Sequence, residues 1–239
     1  MSAQPDITRL IQIHLFSADL IRLLPLAARI ETAAHDFINM LGELPHEFDE
    51  NALYRYPVPM LSDDGACSLI DELAPVPYDL APIIGGRNAN NTRKLLLLHQ
   101  LVGRATEVLG ADWLGIYQRR SRADGTAALV KLAYRGRPSH AEFPLDAEFA
   151  RGSSNSSVGL SGKALVIDDV EAYKLAGGGY YVCDDKVQSE ACLPIFAVGT
   201  NRVVGLIDAE AEARQFFTAD RLVVLTALAL VAPSCLIPG

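Results

Sequence analysis

The sequence predicts an α+β fold: an antiparallel sheet with terminal helices packed on one face, preceded by a helical N-terminal extension. Three observations carry this expectation. An apolar helical stripe covers Arg93 to Leu109, short strand-like runs follow from Trp113 to Ala209, and a second apolar helix closes the order from Thr218 to Val231. Strands grouped between helices, without βαβ alternation, favour an antiparallel sheet.

From the start, Asp6 to Leu41 reads as helix, with Leu10, Ile13, Leu20, Leu23, Ile30, Ala34, Phe37 and Leu41 near helical spacing. Pro25 kinks or divides it, and Gly42 and Pro45 end it. Leu44 to Asn91 is punctuated by Pro45, Pro57, Pro59, Pro75, Pro77 and Pro82, so it reads as an irregular connector with short ordered pieces. Its apolar residues, among them Leu53, Tyr54 and Tyr56, imply that it packs on something. Residues 1–91 are therefore expected to form an extension and residues 92–239 the main domain.

Thr92 is the expected N-cap of the helix Arg93–Leu109. Leu96, Leu97 and Leu101 widen its stripe, which suits burial on more than one side or a dimer interface. Strands are then expected at Trp113–Gln118, Ala127–Tyr134, Phe143–Phe149, Leu165–Val170, Ala191–Val198 and Val203–Ala209. Ala123-Asp124-Gly125 and Gly199-Thr200-Asn201-Arg202 supply turns, and the serine run Ser153 to Ser157 reads as a mobile loop. Thr218 is the expected N-cap of the closing helix.

Composition excludes several classes. Net charge is −8 with no basic block, which argues against nucleic acid. The early charges Asp6, Arg9, Asp19 and Arg22 break any apolar signal core. Leu222 to Leu236 is apolar but contains Pro233 and falls short of the about twenty residues of a membrane span. Cys67, Cys183, Cys192 and Cys235 show no C-x-x-C spacing, so reduced thiols in a cytoplasmic protein are expected. The histidines show no ligand spacing, and neither a metal site nor a cofactor is expected. Gly177-Gly178-Gly179 lacks the following G-K-[ST] of a phosphate loop, and G-x-S-x-G is absent.

The richest segment is Gly179 to Pro194, GYYVCDDKVQSEACLP, which sets thiols and carboxylates together just before an apolar strand. If Glu190, Asp208 and Glu210 converge, like charges cannot all ionise and at least one carboxyl is held protonated. Such a group could donate a proton, while the others receive an ammonium and Trp113 packs on an aliphatic chain or a cation. In strand alternation Cys192 and Pro194 share one face, and Ala191, Leu193 and Ile195 the other.

W-L-G-I-Y at Trp113, C-D at Cys183, S-E-x-x-L-P-I at Ser189, V-V-G-L-I-D at Val203 and F-T-x-x-D at Phe217 stand in the order found in GAF domains. Over Arg93 to Val231 the chain resembles these domains, and among them the free methionine-(R)-sulfoxide reductases. The resemblance implies a GAF-like sheet and residue roles. Cys183 holds the place of the cysteine that attacks the sulfoxide. Trp113 and Tyr117 match the pocket wall, Glu190 the S-E carboxylate, and Asp208 with Glu210 the L-D-x-D pair. Ser161, in G-L-S-G-K-A, stands where the family carries another cysteine, and a third has no counterpart between Trp113 and Ser161. The usual resolving disulfide is therefore absent, and Cys192 lies outside the family pattern.

The expected function is a small-molecule-binding GAF module, a ligand or redox sensor derived from such a reductase. Trp113, Tyr117, Tyr180, Tyr181, Glu190, Asp208 and Glu210 are its ligand-binding candidates, and an amino-acid-like molecule its ligand. The alternative is an active reductase using Cys183, resolved by Cys192 or by an external thiol such as thioredoxin. A homodimer is expected.

Overall fold

The computed structural model describes residues 7–41, 44–45, 47–61, 67–122, 124–181 and 184–238. The N-terminal helical region divides into α1 (Ile7–Ser17), a 3₁₀ turn at Ile21–Leu26 that contains Pro25, and α2 (Ala27–Met40). The connector holds α3 (Glu50–Tyr54) and four short strands: β1 (Arg55–Tyr56), β2 (Pro59–Leu61), β3 (Cys67–Leu73) and β4 (Tyr78–Asp79). These pair as β1–β4 and β2–β3. The connector is fastened to the main sheet by phenols: Tyr56 donates to the Lys131 carbonyl at 2.8 Å and Tyr78 to Glu142 at 2.6 Å.

The next helix, α4, spans Ala89–Leu109 and so begins earlier than expected. Asn88 is its N-cap, its side chain accepting from the Asn91 amide at 3.0 Å. Thr92 lies within the helix and spends its hydroxyl on Tyr54 and Glu50. The broad leucine stripe of α4 is consumed within the chain: Leu95, Leu96, Leu97, Leu98 and Leu101 are all buried.

The main sheet comprises β5 (Trp113–Ser121), β6 (Ala127–Arg135), β7 (Glu142–Pro144), β8 (Leu165–Ile167), β9 (Ser189–Phe196) and β10 (Val203–Ala211). They lie in the order β7-β6-β5-β10-β9-β8, every neighbour antiparallel. The third strand is shorter than expected, because Asp146 turns the chain by accepting from the Glu148 and Phe149 amides. The fourth also stops early: Asp169 caps α6 (Val170–Leu175), a helix the sequence reading did not include. Pro194 is tolerated in β9 because on that side the partner strand β8 reaches no further than Cys192, so its missing N–H costs no bond to β8.

The serine run is the main correction to the expected fold. Ser154–Ser161 is a helix, α5, capped by Ser153, which accepts from the Ser156 amide at 3.3 Å. Ser153, Ser154, Asn155 and Ser156 are buried. Gly159 lets α5 sit against the sheet, since a Cβ there would lie 2.7 Å from Leu145 and 2.9 Å from Leu129.

Strand alternation divides the sheet into two faces. Leu114, Ile116, Val130, Leu193, Ile195 and Ile207 join a core with α4 and α7 (Ala219–Val231). Thr218 precedes α7 but makes no side-chain cap bond. The opposite face carries Trp113, Tyr117, Leu129, Cys192 and Leu206, and α5 covers it. Among the described residues no helix is long and apolar enough to cross a membrane.

Candidate functional site

The cavity on the α5 side of the sheet follows from β-strand register. Glu190 lies opposite Glu210, and Cys192 opposite Asp208, on the adjacent strands β9 and β10. Because 190, 192, 208 and 210 are alternate positions, all four side chains leave the sheet on the same side. The aromatic wall has an equally local cause. In W-L-G-I-Y the Trp113 indole folds back over Gly115, where any Cβ would lie 2.3 Å from the ring. The ring is anchored by its Nε1–H, which donates to the Arg137 carbonyl at 3.0 Å. Tyr117 donates to the His140 carbonyl at 3.3 Å, and Tyr181 meets His140 Nε2 at 2.9 Å.

Trp113, Tyr117, Ser139, Phe143, Ser153, Ser154, Asn155, Tyr181, Glu190, Asp208 and Glu210 line the cavity, which has about 20 Å³ of free space. That holds about one water or one ion. A groove of about 310 Å³ adjoins it, sharing Trp113, Ser139 and Glu210 and adding Arg137, Asp184 and Glu212. Across its mouth Arg137 pairs with Asp184 at 3.4 Å.

The electrostatics are those of crowded, buried carboxylates. Glu190 and Asp208 are 3 % and 2 % exposed. Burial, reinforced by the charge of Asp208, pushes the Glu190 carboxyl far above its usual range, while hydrogen bonds from Ser154 and Tyr180 pull the other way. Burial also raises Asp208, opposed by the Asn155 hydrogen bond and the Lys131 charge. Glu210 is raised by burial and then by the charges of Asp208, Glu190 and Asp184, opposed by Lys131. The Asn155 amide donates to Asp208 Oδ2 at 2.9 Å, and Cys192 Sγ donates to Asn155 Oδ1 at 3.4 Å. Asp208 Oδ1 is buried with no hydrogen-bond partner among the described residues.

Behind Trp113 lies a fully buried lysine. The Lys131 ammonium donates to both the carbonyl and the hydroxyl of Ser139 at 2.7 Å. It lies 4.2 Å from the Tyr134 ring centroid, 5.2 Å from Tyr56 and 5.8 Å from Trp113. Cation–π attraction and two hydrogen bonds offset the cost of burying that charge.

Of the expected ligand-binding residues, Trp113, Tyr117, Tyr181, Glu190, Asp208 and Glu210 are brought together around the one cavity. Tyr180 is not on its wall: it packs on Ile167, Val170 and Val187 and reaches Glu190 from behind. Cys192 is fully buried beside Asn155 and Asp208, its thiol pushed well above the ordinary range by burial and then by the surrounding carboxylates. Cys183 lies outside the described residues. Ser161, at the position of the family cysteine, is exposed at the end of α5. Sequence reasoning missed Ser153, Ser154, Asn155 and Lys131. Ser153 carried a usable signal, a cap-type residue ahead of a possible helix; Lys131 carried none, being a single charge in an apolar strand.

Fold comparison finds two similar solved structures among free methionine-R-sulfoxide reductases. That from Neisseria meningitidis, in complex with its substrate, is 23 % identical over 59 % of this chain and 77 % of its own, with a TM-score of 0.50. The type II enzyme from Thermoplasma acidophilum is 20 % identical over 61 % of this chain and 94 % of its own, with a TM-score of 0.52. These are likenesses of fold. No curated protein matches the chain. The family model for the GAF domain matches residues 95–232, the stretch that builds the sheet, both packing helices and the acid-lined cavity, and the chain belongs to the GAF domain family.

Proposed function

We propose that this GAF domain is a small-molecule-binding module for an amine or amino-acid-like metabolite. The observation that carries the reading is the convergence of Glu190, Asp208 and Glu210 on a cavity walled by Trp113 and Tyr117. A buried cluster of carboxylates favours a cation, and the free space beside them suits an ammonium group. The adjoining groove, reached past Glu210, has room for the rest of such a molecule, with Trp113 along one side and Arg137 able to exchange Asp184 for a ligand carboxylate. As a sensor, the domain would respond to occupancy of this cavity, and a redox input through Cys183 belongs to the same reading.

A thermal-shift screen of amino acids and oxidised amino acids tests it. A ligand at 100 times its Kd stabilises by about 2.7 kcal/mol, so a rise of several degrees is expected. That rise should vanish in Asp208→Asn. No stabilised protein at millimolar ligand would overturn the reading.

A second reading, turnover of free methionine sulfoxide, is favoured by the protonated character of Glu190. A Cys183 thiolate would attack the sulfoxide sulfur while the carboxyl protonates the departing oxygen. Methionine and a cysteine sulfenic acid result, and a thiol then reduces the sulfenic acid with loss of water. The burial and raised pKa of Cys192 favour an external thiol, such as thioredoxin, over Cys192 as the resolving group. Consumption of methionine sulfoxide with dithiothreitol, lost in Cys183→Ser, is the expected result; equal rates in the two proteins would eliminate it.

A further inference from the structure

We propose that Glu190 and Asp208 of the cavity wall, together with the buried Cys192 beside them, form a binding site for a divalent transition-metal ion. The three donors come from one patch of two neighbouring strands. Cys192 stands directly opposite Asp208, and Glu190 is the next residue on the same face. One carboxylate oxygen from each acid and the Cys192 sulfur all lie within 4.8 Å of one another. Metal–ligand bonds of about 2.0 to 2.3 Å place the donors of a tetrahedral ion about 3.3 to 3.8 Å apart, a spacing these side chains reach by small rotations.

An independent observation points to a missing occupant. Asp208 Oδ1 is buried and has no hydrogen-bond partner among the described residues. An unmatched carboxylate oxygen in a dry site is costly. Its sister oxygen is not free, because Asn155 donates to it and accepts from the Cys192 thiol. Asn155 thus orients two of the three donors from outside, the part that outer hydrogen bonds play around metal centres.

The donor set selects the ion. One sulfur with two carboxylates suits a borderline ion of the zinc or cobalt kind, and the sulfur disfavours magnesium and calcium. The free space of about 20 Å³ leaves a fourth position for a water or for a donor atom of a bound molecule. The groove supplies the route inward past Glu210. Coordination replaces the S–H bond of Cys192 by a metal–sulfur bond and releases that proton to solvent, together with any proton held by the two carboxyls. The sequence expectation of no metal site rested on histidine spacing. Donors supplied by two strands leave no such spacing.

The test is titration of the full-length, metal-free protein with Co²⁺ and with Zn²⁺ alone. Cobalt should give a thiolate-to-metal charge-transfer band in the near ultraviolet, and zinc should raise the melting temperature and release protons. Cys192→Ser should abolish the band and weaken zinc by more than about tenfold. Asp208→Asn should do the same, and serves if the serine variant does not fold. No band and no zinc-dependent shift in the wild-type protein would overturn the proposal. So would a band unchanged in both variants, because it would arise from Cys67, Cys183 or Cys235. The amine reading fails separately: a metal-free wild-type protein that shows the zinc response but no amino-acid thermal shift would overturn that reading and leave the metal site standing.

Discussion

The two faces of the six-stranded sheet are built from the same strands by opposite rules. On the helix-covered face Leu193, Ile195 and Ile207 are fully buried in the apolar core that α4 and α7 join. Alternate residues of the same strands present Glu190, Cys192, Asp208 and Glu210 on the other face. Each apolar side chain on the first face contributes about 1.5 to 3 kcal/mol by leaving water. Each carboxyl on the second costs free energy and is held protonated, hydrogen-bonded or short of a cation. Because a strand alternates with period two, the chain separates its apolar core from its acid-lined cavity without separating them in sequence. Neighbouring residues should therefore respond to substitution in unrelated ways.

The largest expected effect is on the helix face. Leu193→Ala should lower stability by about 2 to 5 kcal/mol, read by urea unfolding, while leaving the ligand and metal responses of the folded protein intact. Loss of both binding responses in folded Leu193→Ala would break the separation of the faces.

The next effect concerns the ring on that side. His14 of α1 is 3 % exposed, packs edge-on against Phe196, and has no partner for Nε2 among the described residues. Burial lowers its pKa from 6.5 to about 4. The folded state therefore prefers the neutral ring. Its contribution is complete above the unfolded value and is lost as pH falls through the folded one. Stability should decline by on the order of 3 kcal/mol between pH 6.5 and 4, and His14→Leu should flatten that decline when melting temperature is followed against pH. An identical slope in the variant would assign the acid response to other groups.

The smallest effect lies on the site face. Ser153→Ala removes the N-cap of α5 and should cost about 1 kcal/mol. It should also weaken the amino-acid thermal shift, since α5 carries Ser154 and Asn155 to the acids. A shift of wild-type size would mean that α5 is held by its packing on Leu129 and Leu145 alone.

The helix face was largely legible in the sequence, and the site face only in part, for a physical reason. Apolar stripes at Leu95, Leu98 and Val102 or at Leu193 and Ile195 announce themselves by period, because burial is what they do. The acids were legible through their motifs, S-E at Ser189 and L-I-D at Leu206, and through the stated resemblance. The helix that covers them was not. Ser154, Asn155, Ser156 and Ser157 form one turn with no apolar residue, since this turn meets polar partners: Ser156 donates to the Pro144 carbonyl and Asn155 to Asp208. Such a turn reads as a loop to any method that looks for an oily stripe. Asn88 and Thr92 are both good cap residues, and the distant Tyr54 and Glu50 take up the Thr92 hydroxyl.

One ring around the Lys131 ammonium is contributed by residue 56, far upstream of residue 95, where the GAF match begins. Anyone grafting this domain onto another protein would naturally cut near that boundary. The shortened version would lose Tyr56 and its bond to the Lys131 backbone, admitting solvent to a cation that backs the Trp113 indole. A transplanted domain intended to keep this aromatic wall should therefore carry the upstream tyrosine with it.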